Sequence, residues 1–525
     1  MSTLEGPSPN PADSFIGQGV SSQTANLEPH LPSLAGRAYR CQCGCPVFFR
    51  NSVCLACGTP LGYESSLARL IPLMPHPDLA PGAPHNSWVI WHDAAAGRQP
   101  LQSSPGADPN ALPSFMPQLS QAYARCANLQ TPAQCNWLIP ITAPAPVNNA
   151  ANAANDAPAG GNPLAMDAPA PLRLLCQACR LNRVIPDLND AMHPDNGELW
   201  GRIELAKRRL VSALMALGLP VASRLSEDTA RGMMFDFLRS PNNGPHILTG
   251  HDTGLITLNL QEADDAVREA ARTAMREPYR TLLGHFRHEI GHYYWDRLVR
   301  GTHWMDGFHQ LFGDETIDYA TALRKNYEQG PPQQWWLHYV SAYASTHPWE
   351  DWAECWAHYL HMRDTVDTAL SFGLATDRAN LEFTLFTLDA LYQPDHPQAE
   401  QFLAFLNEWT QLTTLLNEMS RSMGQPDFYP FVLPREVVAK LHFIHLLVTS
   451  SSWLPGDVAA VEAAQDALTQ QIDGHLQIQG QDQGQSQSQS QGYSQGLDQV
   501  QSHNQGQSPA PLPLQALTTG SFQND

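Results

Sequence analysis

Apolar residues recur three and four positions apart through much of the chain after about residue 185, which is the spacing of amphipathic helices. This pattern predicts helices within five stretches: residues 198–219, 262–299, 349–362, 399–419 and 434–449. Between the first two stretches, the run from Leu255 to Leu260 follows a Gly/His/Asp turn and favours a strand. The chain is therefore expected to have an α+β fold that is mostly α-helical with a small sheet.

Three polar stretches lack this periodicity and predict disorder, because they cannot bury enough apolar surface to fold. They are a Ser/Pro/Gly/Asn-rich arm, an Ala/Asn/Pro-rich insertion and a Gln/Ser/Gly-rich tail, at residues 1–37, 143–172 and 471–525. The remaining chain divides into a small cysteine-rich unit, a second cysteine-containing region around the insertion and a helical domain, at residues 38–66, 67–184 and 185–470.

The charge balance narrows the choice of partners. The chain has 30 Lys and Arg against 51 Asp and Glu, a net charge of -21 that repels nucleic acid and anionic lipid surfaces. The N-terminus has neither a basic region nor an apolar core of a signal peptide, and no apolar run approaches the roughly 18 residues of a membrane span. We therefore expect a cytoplasmic protein without nucleic-acid or membrane partners.

A candidate metal site lies in the second helical stretch. His288 and His292 are four positions apart, which puts both imidazoles on one helix face. Glu289 is rotated about 100° from His288 around the helix axis, which suits a carboxylate that contacts the metal-bound water instead of the metal. This is the H-E-x-x-H arrangement of zinc peptidases, although the three fixed positions also recur by accident in helices. A catalytic zinc usually takes a third protein ligand. Glu350, just after a proline at an expected helix start, is the candidate, and Asp351 is an alternative that spacing does not exclude.

A further carboxylate follows Glu350 by one helical turn. Glu354 therefore points the same way and is expected to accept the ring N–H of a ligating histidine, which would fix its tautomer. The alternative is an acidic helix start that only complements the helix dipole. Neighbouring histidines at 285, 347, 358 and 361, and Asp318, are expected to be structural or solvated residues.

Ten cysteines without an export signal, several in close pairs, favour metal ligation over disulfides. Cys41 and Cys43, with Cys54 and Cys57, predict a zinc ribbon whose thiolates stabilise a unit too short for its own core. Cys43 is preferred to Cys45 because a glycine follows it, but Cys45 could replace either member of the first pair.

A second structural zinc site is predicted on both sides of the insertion. Its ligands would be Cys126 and Cys135 before the insertion and Cys176 and Cys179 after it, and only the last pair is closely spaced. The alternatives for both clusters are reduced free thiols or a ribbon that serves as a protein-docking module.

The segment YASTHPWEDWAECW resembles the third-ligand helix of lethal-factor-type zinc peptidases. This resemblance implies that Glu350 is the ligand, that Glu354 orients a histidine and that the Tyr343 hydroxyl steadies the oxyanion. Over roughly residues 39 to 450, the chain resembles a bacterial family of zinc-ribbon-bearing proteins classed as zinc metallopeptidases. The resemblance implies a zincin-like domain of the gluzincin type that acts on peptides or proteins and is preceded by a small β zinc ribbon.

Two functions fit these observations. The first is a zinc peptidase with one catalytic and one or two structural zinc ions, in which Glu289 is the general base. The strand at Leu255 to Leu260 would then be either an edge that pairs with an extended substrate or a plain core strand. The second is a zinc-stabilised interaction or regulatory protein, whose ribbon recruits a partner while the peptidase-like site is silent.

Overall fold

The structure is a computed structural model of the chain. It describes residues 31, 34–75, 87–90, 122–141, 174–241, 243–244, 246–275, 277–374 and 386–450. The predicted insertion and tail lie outside the described residues, as does the predicted arm apart from residues 31 and 34–37.

The N-terminal unit consists of short antiparallel strands. They are β1 (Tyr39–Arg40), β2 (Pro46–Val47), β3 (Leu61–Glu64), β4 (Arg69–Pro75), β5 (Ser87–Ile90), β6 (Ala122–Arg125) and β7 (Leu138–Ile141). The first two strands pair with each other, and the other five form one antiparallel sheet in chain order. This sheet crosses the domain boundary expected at residue 66, because β3 pairs directly with β4, and it connects the two cysteine regions.

The C-terminal domain is mostly helical, as its periodicity predicts, and carries a small sheet. Its elements are β8 (Asn182–Val184), α1 (Asn196–Ala216), β9 (Met234–Leu238), β10 (Gly250–Asp252), β11 (Leu255–Asn259), α2 (Asp265–Met275), α3 (Leu282–Leu298), α4 (Met305–Phe312), α5 (Tyr319–Gln329), α6 (Pro348–Ser371), α7 (Ala399–Ser422) and α8 (Arg435–Thr449). The predicted α+β fold class is confirmed. No helix in the described ranges is both long and apolar enough to span a membrane.

The sheet of this domain has the order β10-β11-β9-β8, in which β11 pairs in parallel with β9 and antiparallel with β10. The strand predicted at Leu255 to Leu260 is therefore an internal strand, and the suggestion that it is the substrate-pairing edge was wrong. Its apolar side chains explain this position, since Ile256 and Leu258 are fully buried. The edge beside α3 is β10.

Helices α3 and α6 pack closely at Gly291. A Cβ added to Gly291 would lie 3.1 Å from the Cα of Ala353 and 3.2 Å from the Cβ of Trp356. The indole N–H of Trp352 donates a hydrogen bond of 2.8 Å to the Gly291 carbonyl. The missing side chain thus allows α6 to approach the helix that carries both candidate histidine ligands.

A buried carboxylate joins the N-terminal unit to the helical domain. Asp364 of α6 accepts hydrogen bonds from Arg37, which precedes β1, from Arg209 of α1 and from Arg287 of α3. Burial by itself would raise the pKa of Asp364, but the three guanidinium groups hold that pKa below its ordinary value. Arg37 lies within the arm predicted to be disordered, yet its side chain is only 4% exposed.

We predict that Gly291→Val lowers the free energy of unfolding by about 1–3 kcal/mol, the usual cost of overpacking a core. The added methyl groups would force α3 and α6 apart, because the nearest atoms belong to backbone and to the stem of a tryptophan. Chemical denaturation of the zinc-loaded protein measures this change. Gly250→Val is the control, since a Cβ there meets no atom within 4 Å. Equal stability of the two variants would contradict the proposed close packing.

Candidate metal centres

Helix α3 presents both histidines of the H-E-x-x-H segment to the same space. The helix begins after Thr281, whose hydroxyl caps it by accepting a hydrogen bond from the Gly284 N–H. The rings of His288 and His292 are 5.0 Å apart between centroids and nearly perpendicular. Both nitrogens expected to face an ion therefore lie on the side of α3 that packs against α6.

The first turn of α6 brings the predicted third ligand to these rings. His347 caps the helix by accepting a hydrogen bond from the Trp349 N–H, and Pro348 occupies the first helical position. The Glu350 carboxylate lies 3.0 Å from Nε2 of His288 and 3.6 Å from Nε2 of His292. One ligand atom from each of the three residues lies within 4.8 Å of the others.

This donor set fits a zinc ion. Bonds of about 2.0–2.1 Å in a tetrahedral zinc site separate neighbouring nitrogen and oxygen donors by about 3.3 Å. The two observed separations of 3.0 and 3.6 Å lie on either side of that value. Two imidazoles and one carboxylate are also a usual ligand set for catalytic zinc, which keeps a further position for water.

The alternative ligand left open by spacing has another partner. Asp351 accepts a buried hydrogen bond of 2.6 Å from Lys440 of α8, which directs its carboxylate away from the histidines. Burial raises the pKa of Asp351 to about 6, and the Lys440 charge opposes this rise. The geometry favours Glu350 over Asp351.

Glu354 makes the contact that its spacing predicts. Its Oε1 lies 2.8 Å from Nδ1 of His288, and its Oε2 accepts a hydrogen bond of 2.6 Å from the hydroxyl of Ser341. A carboxylate at Nδ1 favours the tautomer that keeps the proton there and leaves Nε2 free to bind a metal. Ser341 was not foreseen, because a lone serine thirteen positions before Glu354 carries no pattern.

Tyr319 is a second residue that sequence reasoning missed. Its hydroxyl donates a hydrogen bond of 2.7 Å to Oε1 of Glu350. Tyr319 opens α5 directly after Asp318, an exposed residue whose carboxylate caps that helix through the Thr321 N–H. A cap signal at Asp318 predicts a helix start, but it does not reveal which side chain of the helix reaches the metal centre.

The two residues expected to act on substrate also lie at this centre. The ring of Tyr343 is 5.9 Å from that of His288 between centroids, and burial together with the Glu350 charge raises the pKa of its hydroxyl. Glu289 is partly exposed beside the histidines. Burial raises the pKa of Glu289, and its electrostatic interactions with the neighbouring imidazoles oppose the rise.

The other histidines near these helices have different partners. The contacts are His285 with Glu262, His347 with the Ile317 carbonyl, His358 with Tyr429 and His361 with Arg287. These pairings agree with the structural roles expected for them.

The predicted ribbon cysteines converge on one point. The sulfur atoms of Cys41 and Cys57 are 3.6 Å apart, and those of Cys43 and Cys54 are 3.8 Å apart. Zinc–sulfur bonds of about 2.3 Å separate tetrahedral thiolates by about 3.8 Å, so the group fits zinc. Cys45 is not in this group, and its carbonyl accepts a hydrogen bond from the Cys41 N–H.

Glycines explain the choice between Cys43 and Cys45. Gly44 and Gly58, which follow Cys43 and Cys57, have φ of 85° and 74°, a backbone conformation that glycine adopts without strain. Their N–H groups donate to the carbonyls of Cys41 and Cys54, which closes a tight turn around each cysteine pair.

The second cysteine group is fully buried. Cys126, Cys135, Cys176 and Cys179 each offer a sulfur within 4.8 Å of the others, and the sulfurs of Cys135 and Cys176 are 3.6 Å apart. The Cys176 N–H also donates to the sulfur of Cys126. The segments before and after the predicted insertion therefore meet at a site with the spacing of a structural zinc.

Comparisons with known proteins identify the families that two parts of the chain match. A family model described as "Putative zinc-binding metallo-peptidase" matches residues 196–447, and a model described as a zinc-ribbon domain matches residues 38–103. Uncharacterized proteins of Mycobacterium tuberculosis H37Rv and Mycobacterium bovis are each 39% identical over 415 residues, which is 78% of this chain and 95% of each relative. No solved structure matches the chain.

We predict that Glu350→Ala releases one zinc ion per chain, because it removes one of the three protein donors that the described residues supply to this centre. Both cysteine groups should keep their zinc. Elemental analysis of the purified protein measures the stoichiometry. Asp351→Asn is the matched control and should keep the full zinc content. Unchanged zinc in Glu350→Ala, or loss of zinc only in Asp351→Asn, would reverse the ligand assignment.

We predict that Tyr319→Phe weakens zinc binding at this centre by about tenfold, as expected when a partner that orients a ligand is removed. Competition with a chromophoric chelator measures the affinity. Tyr392→Phe removes a hydroxyl of the same kind away from this centre, since the Tyr392 ring packs on Phe443, and should leave the affinity unchanged. Equal affinities for wild type and Tyr319→Phe would show that this hydrogen bond does not hold the ligand in place.

Proposed function

Because this chain belongs to the family described as putative zinc-binding metallo-peptidases, we propose that it is a zinc-dependent peptidase in which Glu289 is the general base. The proposal assigns His288, His292 and Glu350 as ligands of the catalytic zinc. Peptides or proteins are the substrates that this family implies. The two cysteine groups are assigned to structural zinc ions, since four thiolates leave no coordination position for a substrate.

One observation carries this proposal most strongly. The Nε2 atoms of His288 and His292 and the Glu350 carboxylate, remote from each other in the chain, face one another at distances that fit a single zinc ion. A partly exposed glutamate follows the first of these histidines directly. Structural zinc sites almost always have four protein ligands, whereas the described residues offer three donors here, as catalytic sites do.

Zinc bound at this centre would polarise a peptide carbonyl and lower the pKa of a bound water toward about 7. Glu289 would accept the proton of the attacking water and then deliver it to the nitrogen of the leaving amine. Its environment supports this role, because burial raises its pKa and so makes the carboxylate a stronger base. Glu354, through Nδ1 of His288, would hold that ring in its ligating orientation.

Tyr343 is proposed to donate a hydrogen bond to the oxygen of the carbonyl under attack. Its hydroxyl is kept protonated because burial and the Glu350 charge raise its pKa. A neutral donor that is already oriented stabilises developing negative charge in the transition state. Tyr319, in contrast, already donates to Glu350 and is proposed to position that ligand.

The edge strand β10 is proposed to align the substrate. One side of β10 pairs with β11, and the ring of His251 in β10 lies 6.3 Å from that of His292 between centroids. A peptide in extended conformation could pair with the other side through main-chain hydrogen bonds, which require little sequence preference. Substrate pairing was first suggested for the strand that is now β11. It is assigned to β10 because β11 is an internal strand.

We predict that Glu289→Gln lowers the rate of peptide cleavage by about 100-fold to 10,000-fold, the usual contribution of a general base. Zinc content should stay unchanged, because Glu289 is not among the proposed ligands. Cleavage of a peptide library, read by mass spectrometry together with elemental analysis, measures both quantities. Glu400→Gln, the same substitution at an exposed position of α7, is the control.

Two outcomes would contradict the proposal. Full activity of Glu289→Gln would remove Glu289 from the mechanism. Absence of cleavage by wild type with the three sites loaded with zinc would favour a zinc-stabilised interaction protein with a silent site.

A further inference from the structure

A cavity of about 520 Å³ lies where the N-terminal unit meets the helical domain. Its walls come from the segment after β2, from α1 and α3, and from the C-terminal end of α6. None of its lining residues is a proposed metal ligand or catalytic residue. The volume falls within the range of about 300–1,000 Å³ that is usual for small-molecule sites.

The charges at this cavity are opposite to those of the whole chain. Arg37, Arg50, Arg202 and Arg209 line it, and none of its described lining residues is acidic, although the net charge of the chain is -21. Arg202 is paired with Glu198 on α1. The other three arginines give the cavity its positive character.

Three arginines, two of them buried and Arg209 partly exposed, share one buried carboxylate. Arg37, Arg209 and Arg287 all pair with Asp364. The other hydrogen-bond partner of the Arg287 side chain is the imidazole of His361, which is not a carboxylate. Three guanidinium groups thus surround one carboxylate. Buried charge without a partner is costly, so an anion in the cavity would be stabilised by the remaining positive charge.

Aromatic side chains supply the other part of the lining. Phe48 from the N-terminal unit and Phe372 beyond the end of α6 are 56% and 57% exposed, although both are large apolar residues. Phe49 lies under the guanidinium group of Arg37, 5.1 Å from the ring centroid. Burial of Phe48 and Phe372 against an apolar ligand would remove this unfavourable exposure to water.

We propose that this cavity binds an amphiphilic organic anion, an acyl or aryl carboxylate or phosphate ester. Its acidic group would pair with Arg37, Arg50 and Arg209, and its apolar body would lie between Phe48 and Phe372. A bound ligand would bridge the ribbon unit and the helical domain. This proposal does not depend on peptidase activity, since the cavity and the metal centre share no residue.

The test titrates zinc-loaded full-length protein by calorimetry with four probes: octyl phosphate, octanoate, inorganic phosphate and 1-octanol. We expect saturable binding with one ligand per chain for octyl phosphate or octanoate, and the comparison of the two identifies the preferred acid. Inorganic phosphate and 1-octanol should bind at least about tenfold more weakly, because each lacks half of the interactions.

Two variants locate the site without disturbing the fold, because they change exposed side chains. Arg50→Glu should weaken binding of the anionic probes by about tenfold or more, since it replaces an attraction by a repulsion. Phe372→Ser should weaken the octyl probes and leave inorganic phosphate unaffected. Arg69→Glu makes the same charge change at an exposed position of β4 outside the cavity and should have no effect. Zinc content and circular dichroism check folding.

Several results would overturn the proposal. They are absence of saturable binding of either anionic amphiphile, equal binding of 1-octanol, and equal loss of affinity in Arg50→Glu and Arg69→Glu.

The segment 451–525 contains seven Asp or Glu and no Lys or Arg. Binding that is seen only after this segment is removed would assign the cavity to the chain's own acidic tail instead of a free ligand.

Discussion

The close contact of α3 with α6 at Gly291 is the constraint on which the metal centre depends. Each helix alone carries an incomplete set of donors, two imidazoles on α3 and one carboxylate on α6. At Gly291 the two backbones approach so closely that a methyl group would press against Ala353 and Trp356. One turn of α6 before Ala353, Glu350 therefore reaches both histidines, and Trp352 ties α6 to the Gly291 carbonyl through its indole.

Much of the centre could be predicted because its determinants are local. His288 and His292 share a helix face by spacing alone, and Pro348 marks the helix start that carries Glu350. The ribbon cysteines could also be predicted from the sequence. Gly44 and Gly58 mark the left-handed turns that follow a ligating cysteine. The family resemblance stated from the sequence is confirmed by the matches to the family described as "Putative zinc-binding metallo-peptidase" and to the zinc-ribbon model.

The features that could not be predicted depend on tertiary position. Tyr319 and Ser341 contact Glu350 and Glu354 at the metal centre. The sequence around them predicts only a helix cap and a turn, and it does not predict these contacts. The run around Ile256 reads as a strand, but its pattern does not tell an internal strand from an edge. That distinction depends on the parallel pairing with β9, which comes from a strand that the periodicity of the chain does not indicate.

The surroundings of Glu350 and Glu354 support the different roles that the sequence analysis expects for them. Both point the same way from α6 because they are one turn apart, so spacing makes either one a suitable ligand. Their surroundings differ. Glu354 is already held by Ser341 and faces Nδ1 of His288, whereas Glu350 faces the Nε2 atoms of both histidines and receives the Tyr319 hydroxyl. An ion at the two Nε2 atoms is therefore within reach of Glu350, while Glu354 can influence that ion only through the imidazole of His288.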